Sequence, residues 1–296
     1  MLKQHDLHDL IERIEAGGTC KVLRKVKVCE GRTGIPYYGG DTFIGVVVDV
    51  ETTGLNTSND LIIELALRRF RYDSRGRILK IDAIRWWLED PGCPVSAETT
   101  RVTGLRDADV AGQSIDDPEA TRLLRSAGLV IAHNAAFDRK FVERRLPEAA
   151  GLSWACTLSE IDWGEAGIDG QKLGWLASQA GWFFEPHRAS NDVDAVFVLL
   201  SHKLPDGRTA LADLIAQSAT PSVIVDAIGA HYDVKEALRL RGYRWNPDEK
   251  VWSKQVPLPD IGQEESWLDR HVYGPDQRST RTGPRLTQVD ARTRFA

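Results

Sequence analysis

The stretch VVVDVETTGL at residues 46–55 closes an apolar, β-branched run with two acids, Asp49 and Glu51, at positions i and i+2. Side chains alternate across a strand with period two, so both carboxylates leave one face of one strand end. Two acids held side by side repel unless a cation lies between them, which points to a divalent-metal site of hard oxygen ligands. Taken alone, the pair reads equally well as two solvated strand-end acids.

Working outward, residues 43–50, 61–70 and 78–88 are three strand-like runs in succession, the last ending in Trp86-Trp87. Gly76 within SRGR marks a turn between the second and third, so an antiparallel meander is expected. Beyond Pro91 come short helical stretches, a buried run at 128–132 and an amphipathic stretch at 135–145. Helices over 172–180 and 191–203 complete an α/β sheet domain.

Two further segments carry chemistry-bearing residues. LVIAHNAAFD at 129–138 places His133 and Asn134 at a strand end and Asp138 in the helix that follows; PHRASNDVDAVFVLL at 186–200 places His187 in a Pro-preceded loop and Asp192 near the start of an apolar helix. Each has an ordinary structural reading: Asp138 as a helix-dipole partner, His187 and Asp192 as a chance spacing, His133 as a hydrogen-bonded strand-end histidine. Asn191 reads as a helix cap, and Glu64 in LIIELAL as either a hydrogen-bonded support or an outward-facing residue.

Together the three segments resemble the DEDDh (DnaQ-like) 3′→5′ exonuclease superfamily. Asp49 to Leu55 match its Asp-x-Glu-Thr-Thr-Gly-Leu motif, Asn134 to Asp138 its Asn-x-x-Phe-Asp, and His187 to Asp192 the His-x-x-x-x-Asp of the histidine branch. Within that superfamily the chain resembles proofreading-type proteins similar to the epsilon subunit of DNA polymerase III. The resemblance implies an RNase H-like mixed sheet flanked by helices and hydrolysis assisted by two divalent ions, Mg²⁺ or Mn²⁺. Asp49, Glu51, Asp138 and Asp192 would then be metal ligands, Asp49 bridging the two ions and Asp138 acting through water. His187 would be the general base, a role suited to an imidazole whose ordinary pKa is about 6.5. Thr52, Thr53, Leu55, Thr103, Gly104 (in VTGLRD, 102–107) and Asn134 fall where the family meets the terminal nucleotide, although Leu55 also reads as a core or turn residue.

The remaining chain divides by composition. Residues 1–40 read as an amphipathic helix closed by Gly17-Gly18 and an irregular lead-in, 41–204 as the exonuclease-like domain, and 205–221 as a linker that includes a short helix over 209–217. Residues 222–258 form a small α+β module of strand, helix and hairpin. Its segment 235–254 carries six Lys/Arg against three Asp/Glu, interleaved with aromatics. Arg244, Trp245, Lys250 and Trp252 are therefore readable as nucleic-acid contacts or, for the rings, as core. The tail 259–296, with Arg278, Arg281, Arg285, Arg292 and Arg294 against Asp276 and Asp290, reads as disordered or draped on the main domain. QVPLP at 255–259 bears a faint likeness to a sliding-clamp peptide.

Bulk properties are consistent with this. A hydrophobic fraction of 42% and a charged fraction of 27% are ordinary for a globular protein, and no apolar run reaches membrane-spanning length, so no membrane partner is expected. The N-terminus lacks a secretory pattern and the cysteines at 20, 29, 93 and 156 are dispersed, so a reduced, cytoplasmic protein is expected. A net charge of −5 disfavours a protein that merely coats nucleic acid but suits one that gathers carboxylates around metal. The expected activity is hydrolysis of nucleotides one by one, as 5′-mononucleotides, from the 3′ end of DNA, single-stranded in preference. The alternatives are an RNA exoribonuclease of the same fold and a non-catalytic nucleic-acid-binding or polymerase-docking subunit; a polymerase or sliding clamp would be the protein partner.

Overall fold

The computed structural model describes residues 4–247, 249–274, 278–280 and 283–296. In chain order its elements are α1 (Gln4–Ala16), β1 (Arg24–Lys25), β2 (Gly31–Arg32), β3 (Thr42–Thr52), β4 (Ile62–Asp73), β5 (Ile78–Ile81), β6 (Arg85–Leu88), α2 (Ala97–Thr103), α3 (Asp107–Val110) and α4 (Asp117–Arg125). There follow β7 (Leu129–Ala132), α5 (Ala135–Arg145), β8 (Trp154–Cys156), α6 (Leu173–Gln179), β9 (Trp182–Phe183), α7 (Ala189–Ser201) and α8 (Ala210–Ala219). The chain ends with β10 (Ser222–Asp226), α9 (Lys235–Leu240), β11 (Arg244–Asn246), β12 (Val251–Pro257), α10 (Ile261–His271) and β13 (Arg285–Val289). Two compact units result, one of residues 1–217 with 295–296, the other of 218–294.

In the first unit β3 and β4 pair antiparallel from Thr42 opposite Asp73 to Thr52 opposite Ile62, and β5 and β6 both add antiparallel to the far side of β4. The predicted third strand is thus two strands, and the turn before it is made by Gly76 at φ 66°, where the Gly76 N–H reaches the Asp73 carbonyl. On the other side of β3, β7 and then β8 run parallel, giving the order β2-β5-β4-β3-β7-β8. This is the expected α/β fold, a mixed RNase H-like sheet. The alternation of β3 sorts its residues between two cores. Val46, Val48 and Val50 pack with Leu65, Leu67 and Val130 under α4 and α5, whereas Val47 joins Ala66, Phe70 and Ile131 under α6, α7 and α8. Gly45 is required opposite Phe70, since a Cβ there would lie 2.5 Å from Phe70 Cε1.

Four sequence expectations about boundaries need correction. The lead-in before residue 40 contributes strands, β1 pairing β9 and β2 pairing β5. The short helix expected within the linker range is α8, but its Ala210, Leu211 and Leu214 are wholly buried in the first core, so it belongs to the first unit and not to a linker. The second unit does not end at 258, because α10 and β13 complete it: its antiparallel sheet runs β11-β12-β10-β13, with Ser222 opposite Val289 and Asp226 opposite Arg285. The tail was misjudged by composition. RLTQV lacks an apolar face, but strand pairing is made by backbone groups that any sequence supplies. Arg285 is paired with Asp226 and Glu249, and Arg294 donates to Ser222 and Thr220; Asp276 and Arg281 lie outside the described residues. QVPLP is likewise no free peptide, since Gln255 to Pro257 close β12 and Val256 is in the core.

Candidate active site

β3 outruns its neighbour β7. Pairing between them stops at Val47 opposite Ile131, so residues 48–52 keep β4 on one edge and have no strand on the other. The chain leaving β7 turns into α5 at that point, and Asp138 takes the vacant edge: its Oδ1 accepts the Val50 N–H at 3.2 Å. A buried acid thus satisfies a backbone donor that would otherwise be orphaned. It also comes to rest beside Asp49.

Asp49 and Glu51 share the parity of Val47 and so emerge on the face covered by α7, whose first turn carries Asp192. Carboxylate oxygens of Asp49, Glu51 and Asp192 all lie within 4.8 Å of one another. Burial, followed by repulsion from Asp138, Asp192, Glu51 and Glu64, raises the Asp49 carboxyl well above its ordinary range. Burial and then Asp192, Glu64 and Asp138 push Glu51 up to about 8, against some relief from Arg188. Burial pushes Asp138 and Asp192 up to about 7 each, although Asp138 accepts from Val50, and Asp192 from the N–H groups of Arg188 and His187. Four carboxylates are therefore held where they repel one another. The donor set is hard oxygen throughout, and this fits a divalent cation such as Mg²⁺ or Mn²⁺.

Arg188, the cation beside this group, is committed elsewhere. Its Nε and Nη2 each donate at 3.0 Å to Glu64, which is fully buried on β4 opposite Glu51 and also accepts the Ala189 N–H at 3.1 Å. Sequence reasoning left Glu64 undecided and gave Arg188 no role. The signal was an acid inside an apolar strand together with an arginine next to the loop histidine. The N-cap position of α7 is Arg188; Asn191, expected to cap, lies inside the first turn and donates its amide to the Glu185 carbonyl at 2.9 Å.

His187 is exposed and left-handed, with φ 65°. That turn aims its own N–H and that of Arg188 at Asp192. His133 is spoken for, Nδ1 lying 2.9 Å from Thr157 Oγ1 and Nε2 2.7 Å from the Gln171 carbonyl. Among the residues expected to meet a nucleotide, Thr52 is buried and donates to the Gly54 carbonyl, and Thr53 donates to Asp60 Oδ1 at 3.0 Å. Thr103 is buried too, its hydroxyl bonded to the Thr99 carbonyl, and Gly104 ends α2 at φ 75°. These hydroxyls shape the loops instead of reaching out. Leu55, 85% exposed, and Asn134, exposed at the α5 N-cap with no capping bond from its side chain, do face solvent.

Arg244, Trp245, Lys250 and Trp252 belong to the second unit. Trp245 and Trp252 pair across β11 and β12 with ring centroids 5.8 Å apart; Trp252 packs on that unit's core and Trp245 remains half exposed.

Comparison with known proteins bears on the same segment that this geometry singles out. Residues 46–154 match the family model RNase_T, described as an exonuclease. The segment is an exonuclease-family domain. The match covers Asp49, Glu51 and Asp138 and ends before His187 and Asp192, which stand on the geometry above. The PolC-type DNA polymerase III of Listeria welshimeri is 38% identical over 130 residues, 41% of this chain and 8% of that protein. Ribonuclease T of Vibrio parahaemolyticus is 31% identical over 115 residues, 34% of this chain and 53% of that protein. The chain thus spans less than a tenth of the PolC-type relatives and about half of ribonuclease T. Among solved structures, exonuclease I from Methylocaldum szegediense aligns at 14% identity over 85% of this chain and 63% of its own, with a TM-score of 0.49. Among the described residues, no helix is long and apolar enough to cross a membrane.

Proposed function

We propose that the protein is a metal-dependent 3′→5′ exonuclease that releases 5′-mononucleotides from the 3′ end of DNA, acting on single strands or frayed ends in replication or repair. The observation that carries this reading is the convergence of Asp49, Glu51, Asp138 and Asp192 at the unpaired end of β3, the first three of them within the segment that matches the exonuclease family. Asp49, Glu51 and Asp192 would hold the ions directly, with Asp138 close behind them on α5. Divalent ions held there would offset the charge that develops on the attacking and leaving oxygens. His187, on a loop fastened to Asp192 by its own N–H, takes the proton from the attacking water. Leu55 and Asn134 are the exposed side chains placed to touch the terminal nucleotide. Likeness to PolC-type polymerases supports a polymerase as partner.

The test is digestion of matched 5′-labelled DNA and RNA strands with Mg²⁺ or Mn²⁺. Products that shorten stepwise from the 3′ end, faster for DNA, are expected. Faster loss of RNA would make the protein an exoribonuclease. A strand retarded on a gel but left intact would make it a binding subunit.

A further inference from the structure

The second unit contains a cavity of about 470 Å³ lined by Arg241, Gly262, Gln263, Ser266, Trp267 and Arg270. Five of the six lining residues belong to α10, and residues 263, 266, 267 and 270 recur at helical spacing of three and four on one of its faces. The acids Glu265 and Asp269 fall on another face of the same helix. None of the lining side chains is acidic.

The two guanidinium groups are set up differently. Arg241 is fixed: its Cζ lies 5.3 Å from the centroid of the Trp267 ring, and its Nη2 donates to Glu264 Oε2 at 3.2 Å. Glu264 is buried and also receives Lys254 Nζ at 3.0 Å, so one carboxylate faces two cations and leaves the cluster positive. Burial works against its charge, yet Lys254 and Arg241 hold the Glu264 carboxyl below its usual range. Arg270 is exposed and makes no ion pair among the described residues; its Nε donates to the Ser266 carbonyl at 3.4 Å. Trp267 is itself pre-positioned, stacked on His271 at 4.9 Å and near-parallel to Tyr243 at 6.4 Å.

We propose that this cavity is a second nucleic-acid contact, in which Arg241 and Arg270 grip a backbone phosphate of a single strand beside the Trp267 ring. A guanidinium fork matches the oxygens of a phosphodiester, and the edge of the indole next to it offers apolar contact to a sugar. Excess positive charge around a preset arginine is what a polyanion requires, and it contrasts with the acidic centre of the first unit, which needs metal to face the same ligand. The inference rests on the exonuclease reading only for the identity of the strand.

The experiment measures binding of a labelled DNA oligonucleotide to the full chain in EDTA, where no cleavage is expected, across a salt series. RNA of the same sequence and inorganic phosphate serve as parallel ligands. Arg270→Ala and Arg270→Glu change an exposed side chain, and circular dichroism checks their folding. Arg270→Ala is expected to weaken oligonucleotide binding about fivefold and to reduce the salt slope by about one; Arg270→Glu should do more. Hydrolysis of a p-nitrophenyl ester of thymidine 5′-monophosphate should be unchanged in both variants. Unaltered affinity and slope in folded Arg270→Glu, or no oligonucleotide binding by the wild type, would overturn the proposal, as would competition by inorganic phosphate as strong as by the strand. Loss of strand binding in a chain that cuts neither DNA nor the ester would leave this contact standing and remove the exonuclease reading.

Discussion

Arg188 and Glu64 meet through two hydrogen bonds of 3.0 Å, and this pair ties the middle of the sheet to the first turn of the helix that carries Asp192. Glu64 is fully buried, whereas the Arg188 side chain is 40% exposed. The two partners are therefore unequal. Arg188→Ala leaves a buried carboxylate beside Asp49 and Glu51 with only the Ala189 N–H to satisfy it, and should cost about 3 kcal/mol. Glu64→Gln keeps hydrogen-bonding capacity, removes a negative charge from the repelling group and frees an arginine that can reach water, so its cost should be smaller. Urea denaturation of both variants checks the order; equal losses would mean that the pair does not hold the α7 start in place.

The acids at the end of β3 predict an unusual dependence of stability on pH. Glu51 is pushed up to about 8, and Asp138 and Asp192 up to about 7, from ordinary values near 4. Between those limits the folded protein holds more protons than the unfolded chain. Stability is then greatest below about pH 4 as far as these groups are concerned, and is lost as pH rises through 7 to 8. In EDTA the thermal midpoint should therefore fall between pH 5.5 and 8. Millimolar Mn²⁺ should restore it most at the upper end, because cation and protons compete for the same oxygens. A metal-free midpoint that rises across this range would contradict the cluster as described.

The element on which each acid sits was legible from short-range periodicity, whereas their grouping into one centre was expected only from the family resemblance. Asp49 and Glu51 share a face by strand alternation, and Asp192 falls in the first turn of α7 by proximity to an apolar run. The clamp was not legible. Glu64 and Arg188 are 124 residues apart, and only the register that sets Glu51 opposite Glu64 brings them together. Asp138 was placed in the correct helix, but its bond to Val50 depends on β7 stopping short of the end of β3, a length difference that no local pattern encodes. The α8 core contact and the β13 pairing escaped for a related reason: one is a tertiary docking of an ordinary helix, the other a backbone interaction of a polar segment.

His187 has a left-handed backbone and, in the proposed reaction, supplies an imidazole as proton acceptor. A non-glycine residue at φ 65° carries a cost of about 1 kcal/mol that glycine avoids. His187→Ala and His187→Gly should both lower kcat by about 10² to 10⁴ through loss of the proton acceptor. They should differ in stability, the glycine variant melting above the alanine variant. Metal binding, followed by Mn²⁺-dependent thermal shift, should persist in both. Near wild-type turnover in either variant would remove His187 from the proton-transfer step.

Leu55 tests how the terminal nucleotide is held. It projects from the turn after β3 with 85% of its surface exposed, and the fold spends no core contact on it. Leu55→Ala should accordingly change unfolding free energy by less than about 0.5 kcal/mol. If the side chain packs on the last base, the same substitution removes apolar contact made only when substrate is bound. KM for an oligonucleotide should rise several-fold while kcat for a p-nitrophenyl nucleotide ester, which offers no neighbouring base to wedge, stays near wild type. A large stability loss with unchanged KM would instead assign Leu55 to the packing of its own turn.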